Sequence, residues 1–306
     1  MRDLGIRPRL ESAVSRGREF LRGRQRKDGT LLDYDLAPGA GVAWPTALAG
    51  LALGPAREFR GARQAARTAL EALRRPQGWG YNDRTACDAD STAWVVRFLA
   101  TSGGAGNGDP AVLERYLDDQ GHAHTFIGED RFGTWAAAHP DVTPVVGLAL
   151  AEGGGSGAVI SRVRRAVLAT WQAGCGWPCF WWTSAAYASA RSLEFLAATG
   201  GVPGDLAAAE MDHLAGMGPV ATVFDAANRL AAAAVLGVEV APWAGATARE
   251  LAATQLEDGS WPPSSTLRVP DQRAASTGEV HPDVNRVVGT AHAVMALARF
   301  LENDRS

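Results

Sequence analysis

The sequence predicts an all-α fold, an (α/α)6 toroid in which six outer helices surround six inner helices, within one domain, residues 1–306. A pair of helical segments recurs about every fifty residues. One segment of each pair is polar on one face, and the other is apolar nearly all round, as buried helices are. The last segment, GTAHAVMALARF, is as apolar as the internal ones, which favours a closed ring over an open solenoid with polar end caps.

Six pairs of segments follow one another along the chain. The outer segments begin at Glu11, Glu58, Asp109, Ala158, Asp205 and Ala246. The inner segments begin at Trp44, Asp88, His139, Thr183, Val223 and Asn285. No segment between them has the two-residue period of a strand. We therefore expect turns there, and two long loops over 121–138 and 262–280.

A turn of the form Gln-x3-Gly-x-Trp ends several outer segments. It stands as QLEDGSW at Gln255–Trp261, with the variants QAGCGW and QRKDGTL at 172–177 and 25–31. We expect the glutamine to bond carbonyls left free at the end of the outer helix, and the glycine to adopt a positive φ. The tryptophan then packs over the next helix start, so this motif is assigned a structural role.

The composition limits the binding partners and the cellular compartment that we expect for this protein. Thirty Lys and Arg against 33 Asp and Glu give a net charge of −3, which argues against nucleic acid as a bulk partner. Lys27 is the only lysine, and no phosphate-binding loop with a lysine is present. Three sparse cysteines fit a reducing compartment. With no apolar leader and no spanning segment, we expect a cytoplasmic protein.

Polar residues collect at the starts of the inner helices. Because outer and inner helices alternate, the inner N-termini point to one end of the barrel, where their partial positive charges converge. HPDVTPVV from His139 and its near copy HPDVNRVV from His281 are examples. Asp, Ser, Thr and Asn are also the preferred helix N-caps, so capping is the favoured interpretation for any single one of them.

The segment CDADSTAW, at 87–94, carries more carboxylates than a cap requires. Two close carboxylates disfavour joint ionisation, so one of Asp88 and Asp90 is expected to stay protonated near pH 7. A protonated carboxyl in an apolar pocket is a general acid. We expect the hydroxyls of Ser91 and Thr92 to hold this acid and aim its proton inward.

Aromatic side chains lie in the turns and at the starts of the inner helices. Their electron-rich faces stabilise a passing cation by about 0.5–2 kcal/mol each. Large aromatics also fill protein cores, and this alternative stays open. The candidate substrate-binding residues are Trp44, Trp79, Tyr81, Trp94, Trp135, Trp181, Trp182, Tyr187, Phe224 and Asp225.

These motifs resemble those of the terpenoid-cyclase and protein-prenyltransferase toroid family, above all the class II terpene cyclases of the squalene–hopene cyclase type. The Gln-x3-Gly-x-Trp turns look like that family's QW repeats, and DADSTA at 88–93 looks like its Asp-x-Asp-Asp-Thr-Ala proton-donor motif. DVT at 141–143 falls where these cyclases carry Asp-Val-Thr-Ala-His. WPCFWWTSAAY at 177–187 is similar to an aromatic stretch near their active site.

The resemblance implies a role for each matching position. Asp90 matches the aspartate that protonates the substrate, Asp88 the first aspartate of the motif, and Asp141 the aspartate of the helper segment. The motif's third aspartate is Ser91 here, so one charge that tunes the acid is missing. The family's Asp-Val-Thr-Ala-His segment ends in a histidine that assists the acid. This chain has Val145 at that position, and His139 is the substitute that it offers. The candidate catalytic set is Asp88, Asp90, Ser91, His139 and Asp141.

The resemblance also implies an enzyme that cyclises a linear isoprenoid, either a prenyl diphosphate or a prenylated small molecule. It implies no cofactor and no metal site, with Mg²⁺ expected only for a diphosphate. The family usually builds its site from two toroids, whereas this chain has one. A second copy in a homodimer, a second subunit, or the loops 121–138 and 262–280 would then have to close the mouth, because water quenches carbocations.

Two other functions stay open at this stage. One is a non-catalytic toroid that binds an isoprenoid or a peptide in the same cavity. The other is a prenyltransferase-like subunit that depends on a partner. Protein prenyltransferases bind Zn²⁺ through Asp, Cys and His, whereas Cys175 and Cys179 lie in CGWPC without such a set.

Overall fold

The computed structural model describes residues 6–102, 110–218, 220–237, 241, 243–274 and 278–303. Over these ranges the chain is mostly helical, which confirms the predicted class, and it also forms two small two-stranded sheets. None of the helices in the described ranges combines the length and the apolar character needed to cross a bilayer.

The polar and apolar helices alternate as the sequence predicts. The polar set is α1 (Arg7–Arg24), α3 (Arg60–Ala72), α5 (Ala111–Glu114), α8 (Gly157–Thr170), α10 (Gly204–Gly216) and α12 (Ala244–Ala253). The apolar set is α2 (Ala43–Leu53), α4 (Ala89–Thr101), α7 (Thr143–Gly153), α9 (Ala185–Ala198), α11 (Val223–Leu236) and α13 (Val287–Asn303). A short helix, α6 (Glu129–Phe132), lies between α5 and α7.

Burial separates the two sets of helices. In α1 the buried residues form one stripe, which includes Leu10, Val14 and Leu21, while the opposite face is exposed. In α2 every residue except Leu51 is buried. The apolar helices therefore lie inside, and the polar helices cover them.

The inner helices contact one another in chain order. Helix α2 packs against α4, α4 against α7, α7 against α9, α9 against α11, α11 against α13, and α13 against α2. Small residues allow these close approaches, since a Cβ added at Gly147 would lie 2.7 Å from the ring of Phe195. The segment between α1 and α2 also caps α13, because the Asp33 carboxylate accepts the N–H groups of Asn285 and Val288.

The glutamine–tryptophan turns tie neighbouring outer helices together. The Gln255 amide donates to the carbonyls of Gly259 and of Ala13 in α1, each at 2.9 Å. Gln25 does the same with Gly29 and with Ala62 in α3. For each glutamine one acceptor lies in the turn and the other in the next outer helix, and neither lies in the helix that ends, which corrects the prediction. The indoles of Trp79, Trp177 and Trp261 donate back to the carbonyls of Leu70, Val167 and Leu251.

The third outer segment is much shorter than predicted. The sequence predicts a helix over 109–120, where residue 109 lies outside the described ranges, whereas α5 ends at Glu114. The chain turns at Asp118, whose carboxylate accepts the N–H groups of Gln120 and His122. An aspartate that binds backbone groups two and four residues ahead stabilises a turn in place of a helix.

The prediction that the chain has no strands is wrong at two places. Strands β1 (Asp33–Leu36) and β2 (Gly39–Gly41) form one antiparallel hairpin, and β3 (Ser265–Pro270) and β4 (Gly278–Pro282) form another. Strand β3 also bonds the chain before α9, since Thr183 donates to Thr266 and Arg268 donates to Trp181. Part of the predicted loop 262–280 is therefore a hairpin whose backbone groups are paired.

We expect the Gln255→Ala variant to lower the free energy of unfolding by about 2 kcal/mol, since it removes two hydrogen bonds worth about 1 kcal/mol each. Urea denaturation measures this change. Gln77→Ala is the matched control, because the Gln77 side chain is exposed and makes no hydrogen bond within the described ranges. Equal losses in the two variants would contradict the structural role of the turn.

Candidate active site

A cavity of about 280 Å³ opens where the chain enters α2, α4 and α9. Its side walls come from both hairpins and from the loop before α7. The residues that line it are Leu36, Ala37, Pro38, Trp44, Tyr81, Thr85, Asp88, Asp90, Ser91, Thr125, Phe126, Trp135, Trp181, Trp182, Leu267, Val269, Glu279 and His281. The lining is mainly apolar and aromatic, with a few polar groups, as in small-molecule sites.

Asp88 and Asp90 have different roles at the start of α4. Asp88 is the N-cap, and its Oδ1 accepts the backbone N–H of Ser91 at 2.7 Å. Asp90, in the first turn of the helix, is therefore not needed as a cap. Its Oδ1 is buried and has no hydrogen-bond partner in the described part of the chain. The side chain keeps part of its surface accessible from the cavity that it lines.

The surroundings of Asp90 favour its neutral form. Burial raises the pKa of Asp90 well above its ordinary range, and the charges of Asp88 and Asp141 raise this pKa further. Arg191 acts in the opposite direction, but its guanidinium is shared with Glu194, 3.1 Å away. Burial is thus the largest cause of the raised pKa of Asp90. The sequence predicts only the effect of the neighbouring carboxylate.

Asp141 lies near Asp90 and is fixed by the aromatic segment before α9. Its Oδ2 accepts the N–H groups of Phe180 at 2.9 Å and Trp181 at 2.8 Å. Its Oδ1 is buried without a partner in the described ranges. Burial raises the pKa of Asp141 to about 6, and that of Asp88 to about 6 as well. Asp88 and Asp90 therefore line the cavity, and Asp141, which does not line it, is close enough for its charge to act on Asp90.

His139, the predicted substitute for the helper histidine, does not line the cavity. Its ring packs on Phe180, with centroids 3.7 Å apart, and burial lowers its pKa to about 3. The imidazole is therefore neutral near pH 7. The helper position of the family is occupied by Val145, which is fully buried.

Two of the predicted roles around the acid are different in the structure. Ser91 donates its backbone N–H to Asp88 rather than to Asp90. The Thr92 hydroxyl donates to the carbonyl of Trp79 and accepts its N–H, both at 3.0 Å. Neither hydroxyl hydrogen-bonds Oδ1 of Asp90.

Five of the predicted aromatic residues line the cavity, and two more lie directly beneath it. The lining set is Trp44, Tyr81, Trp135, Trp181 and Trp182. Under Trp182, the ring of Phe224 stacks at 4.7 Å between centroids and that of Tyr187 lies at 4.8 Å. The Tyr187 hydroxyl is buried without a partner in the described ranges, and Asp90 is among the charges that raise its pKa.

The structure places three predicted substrate-binding residues elsewhere. Trp79 is buried in the turn between α3 and α4, with its indole bonded to Leu70. Trp94 lies one turn deeper than Asp90, where Arg97 sits over its ring at 4.8 Å. Asp225 caps α11 together with Thr222. None of the three lines the cavity.

Of the lining residues that the second hairpin contributes, Leu267, Val269 and Glu279 are not predicted from the sequence, whereas His281 is expected at the mouth only as a polar residue of an inner-helix start. Leu267, Val269, Glu279 and His281 alternate with residues that face away, as side chains on a strand do. This alternation, in STLRVP and GEVHP, was the available signal. Two long loops meet here, since Trp135 donates its indole N–H to the Pro270 carbonyl at 2.7 Å.

No group of three or more His, Cys, Asp or Glu side chains that could hold a metal occurs among the described residues. Cys175 is exposed and Cys179 donates its thiol to the Ser184 carbonyl. The side chains that line the cavity offer carboxyl groups, aromatic rings and a few hydrogen-bonding groups.

The fold is that of terpene cyclases. The type II terpene cyclase MstE from Scytonema, solved without ligand, matches with a TM-score of 0.85 at 24% identity, over 97% of this chain and 99% of that chain. MstE with its product merosterolic acid A matches at 0.82 and 25% identity, over 97% and 98%. A protein from Actinoplanes matches at 0.81 and 27% identity, over 95% and 99%.

A larger protein shares this fold over part of its length. The ent-copalyl diphosphate synthase from Streptomyces platensis matches with a TM-score of 0.62 at 19% identity, over 83% of this chain and 50% of that chain. No family model matches the chain, and no curated protein matches it by sequence. MstE and the copalyl diphosphate synthase are terpene cyclase enzymes, and MstE is solved with geranylgeranyl dihydroxybenzoate as its substrate.

We expect Asp90→Asn to raise the melting temperature by a few degrees at pH 8 and to leave it nearly unchanged at pH 4. A carboxyl whose folded pKa is raised stabilises the fold only while it is protonated, so that contribution is lost as the pH rises above the unfolded pKa of about 4. Asparagine carries no titrating proton and escapes this loss. Thermal melts from pH 4 to pH 8 measure the difference.

Asp119→Asn is the control, because Asp119 is exposed and lies away from the cavity. Its melting temperature should follow that of the wild type at every pH. A gain for Asp90→Asn that is the same at pH 4 and pH 8 would show that the titration of Asp90 is not its cause.

Proposed function

We propose that this chain is a type II terpene cyclase that starts the cyclisation of a linear isoprenoid by donating a proton from Asp90. The observation that carries the proposal is a carboxyl group of raised pKa, without a hydrogen-bond partner in the described ranges, at the base of an aromatic cavity. The similarity in fold to MstE, which acts on a prenylated substrate, supports it.

The first step transfers one proton and forms one bond. The O–H bond of Asp90 breaks, and the π electrons of the terminal alkene of the isoprenoid take the proton. A tertiary carbocation and an Asp90 carboxylate result. A carboxylic acid that faces an apolar chamber suits this task, because its proton is not shared with a hydrogen-bond acceptor of the described residues.

The carbocation then passes along the aromatic walls. Each following alkene adds its π electrons to the cation, forming a ring and moving the charge along the chain. The ring faces of Trp44, Trp181 and Trp182 line this path, and a cation over an indole face is stabilised by about 0.5–2 kcal/mol. The net reaction is an isomerisation, which consumes neither oxidant nor reductant.

The same chain supplies its own cover for the cavity. Trp181 lies between Trp135 on one long loop and the hairpin on the other, and its indole donates to Thr125. Covering the cation with side chains limits its capture by water. This arrangement supports closure by the chain's own loops, while a homodimer or a second subunit stays a prediction.

We also infer an (α/α)6 toroid formed by the whole chain as one domain. The order of contacts, in which each inner helix packs against the next and α13 packs against α2, supports it. A closer relation to squalene–hopene cyclases rests on the motifs at 88–93 and 141–143. A prenylated small molecule is the substrate class that we favour, by the likeness to MstE. Mg²⁺ would be needed only for the prenyl diphosphate alternative.

We expect Asp90→Asn to lower the rate of cyclisation by about 10²–10⁴-fold, the usual contribution of a general acid. Purified enzyme is incubated with geranylgeranyl dihydroxybenzoate and with C15, C20 and C30 isoprenoids, and the products are measured by mass spectrometry. In D₂O the wild-type product should carry one deuterium at the carbon that was protonated. Asp83→Asn, which alters an exposed carboxylate of the preceding turn, should keep full activity.

Two results would contradict the proposed function. Unchanged turnover by the Asp90→Asn variant would exclude Asp90 as the acid. Retention of a probe without conversion, in both the wild type and the variant, would favour the non-catalytic toroid.

We expect Trp182→Leu to slow cyclisation by about 2–30-fold, which corresponds to 0.5–2 kcal/mol of lost cation stabilisation. Early-terminated products should accumulate, because the stacked rings of Trp182 and Phe224 no longer support the charge. Trp171→Leu is the control, since Trp171 lies on the outer layer and bonds Glu210 away from the cavity. Equal losses of activity in the two variants would contradict a role of the ring face.

A further inference from the structure

One face of the β3–β4 hairpin forms a wall of the cavity. Leu267 pairs with His281 across the strands, and Val269 pairs with Glu279. Residues directly opposite on antiparallel strands share a face, and all four line the cavity. Val280, between the two polar residues, points away and is exposed. The register therefore fixes which side chains the hairpin presents to a ligand.

His281 is the imidazole on this wall. Its side chain is 23% exposed, so it is shielded by the cavity but still in contact with solvent. Nε2 lies 3.7 Å from Oε2 of Glu279, which is beyond hydrogen-bond distance. Neither ring nitrogen of His281 makes a hydrogen bond with the described residues, and an imidazole ring offers one nitrogen lone pair that can accept a proton.

A cyclisation that starts with protonation ends when the last carbocation loses a proton or captures a nucleophile. The other titratable side chains that line the cavity are less suited to accept the final proton. Asp88 is occupied as the cap of α4, beside the acid. The Tyr81 hydroxyl donates to the carbonyl of Tyr34, and the Glu279 side chain is 87% exposed. His281 combines a basic nitrogen with a place on the wall formed by the hairpin, away from the helix that bears Asp90.

We propose that His281 is the base that removes the terminating proton. The inference rests on the proposed cyclase function. In this step the C–H bond next to the last cationic carbon breaks, and its electron pair becomes the new alkene. The proton moves to the imidazole nitrogen and from there to solvent, so charge and atoms balance without a co-reactant.

Glu279 assists this step by its charge. The imidazolium that forms carries a positive charge, and a carboxylate 3.7 Å away stabilises it. The exposure of Glu279 also places the pair at the edge of the cavity, where the proton can leave. Glu279 is thus a positioning and electrostatic residue, while His281 is the group that touches the reacting atoms.

The test compares products rather than rate alone. Because the proton donor is intact in His281→Gln, substrate consumption should fall by less than about threefold, while formation of the wild-type alkene falls about 10²-fold, as for loss of a general base. Isomeric alkenes and water-captured alcohols should replace it. Liquid chromatography with mass spectrometry, using geranylgeranyl dihydroxybenzoate as the probe, measures both quantities.

His122→Gln is the matched control. His122 has 26% of its side chain exposed and lies 3.2 Å from the Asp118 carboxylate, but it belongs to a turn outside the cavity. It should leave both rate and products unchanged. Glu279→Gln provides a second variant, which should shift the product ratio in the same direction by a smaller factor and guards against misfolding of the first.

The outcomes separate the two proposals. A wild-type product pattern in both His281→Gln and Glu279→Gln, with normal consumption, overturns the role of His281 and leaves the cyclase function intact. A wild type that consumes none of the probes overturns both. Loss of consumption in Asp90→Asn together with altered products in His281→Gln supports the acid and the base as separate groups.

Discussion

The site depends on one constraint at the start of α4: two carboxyl groups stand two residues apart, and only one of them caps the helix. Because Asp88 takes the backbone N–H of Ser91, Asp90 is left inside the protein without a donor in the described ranges. Burial then disfavours its charge more than any neighbour does. The fold thus holds a carboxyl group of raised pKa that the helix itself does not require as a cap.

The rest of the cavity is arranged around this acid. Asp141 adds negative charge nearby and is fixed by the backbone of the aromatic segment before α9. The same segment bonds strand β3, so the hairpin wall, the aromatic rings and the second carboxylate form one connected unit. A change in the hairpin is therefore expected to move both the walls and the electrostatics of the site.

Much of this arrangement could be predicted from sequence. The six helix pairs follow from hydrophobic period and composition, and DADSTA identified the start of α4, where Asp88 and Asp90 line the cavity. The two hairpins could not be predicted so easily, since Leu267 and His281 find their partners only when separate segments meet. Periodicity also does not say which way Trp94 and Asp225 point, and both lie outside the cavity lining. The cytoplasmic location stays a prediction.

The protonation state of Asp90 at neutral pH tests the central claim most directly. Infrared difference spectra between the wild type and Asp90→Asn at pH 7 isolate the carboxyl band of this one residue. The structure leads us to expect the band of a protonated carboxylic acid that shifts in D₂O and disappears in the variant. A difference spectrum showing only an ionised carboxylate at pH 7 would contradict the account.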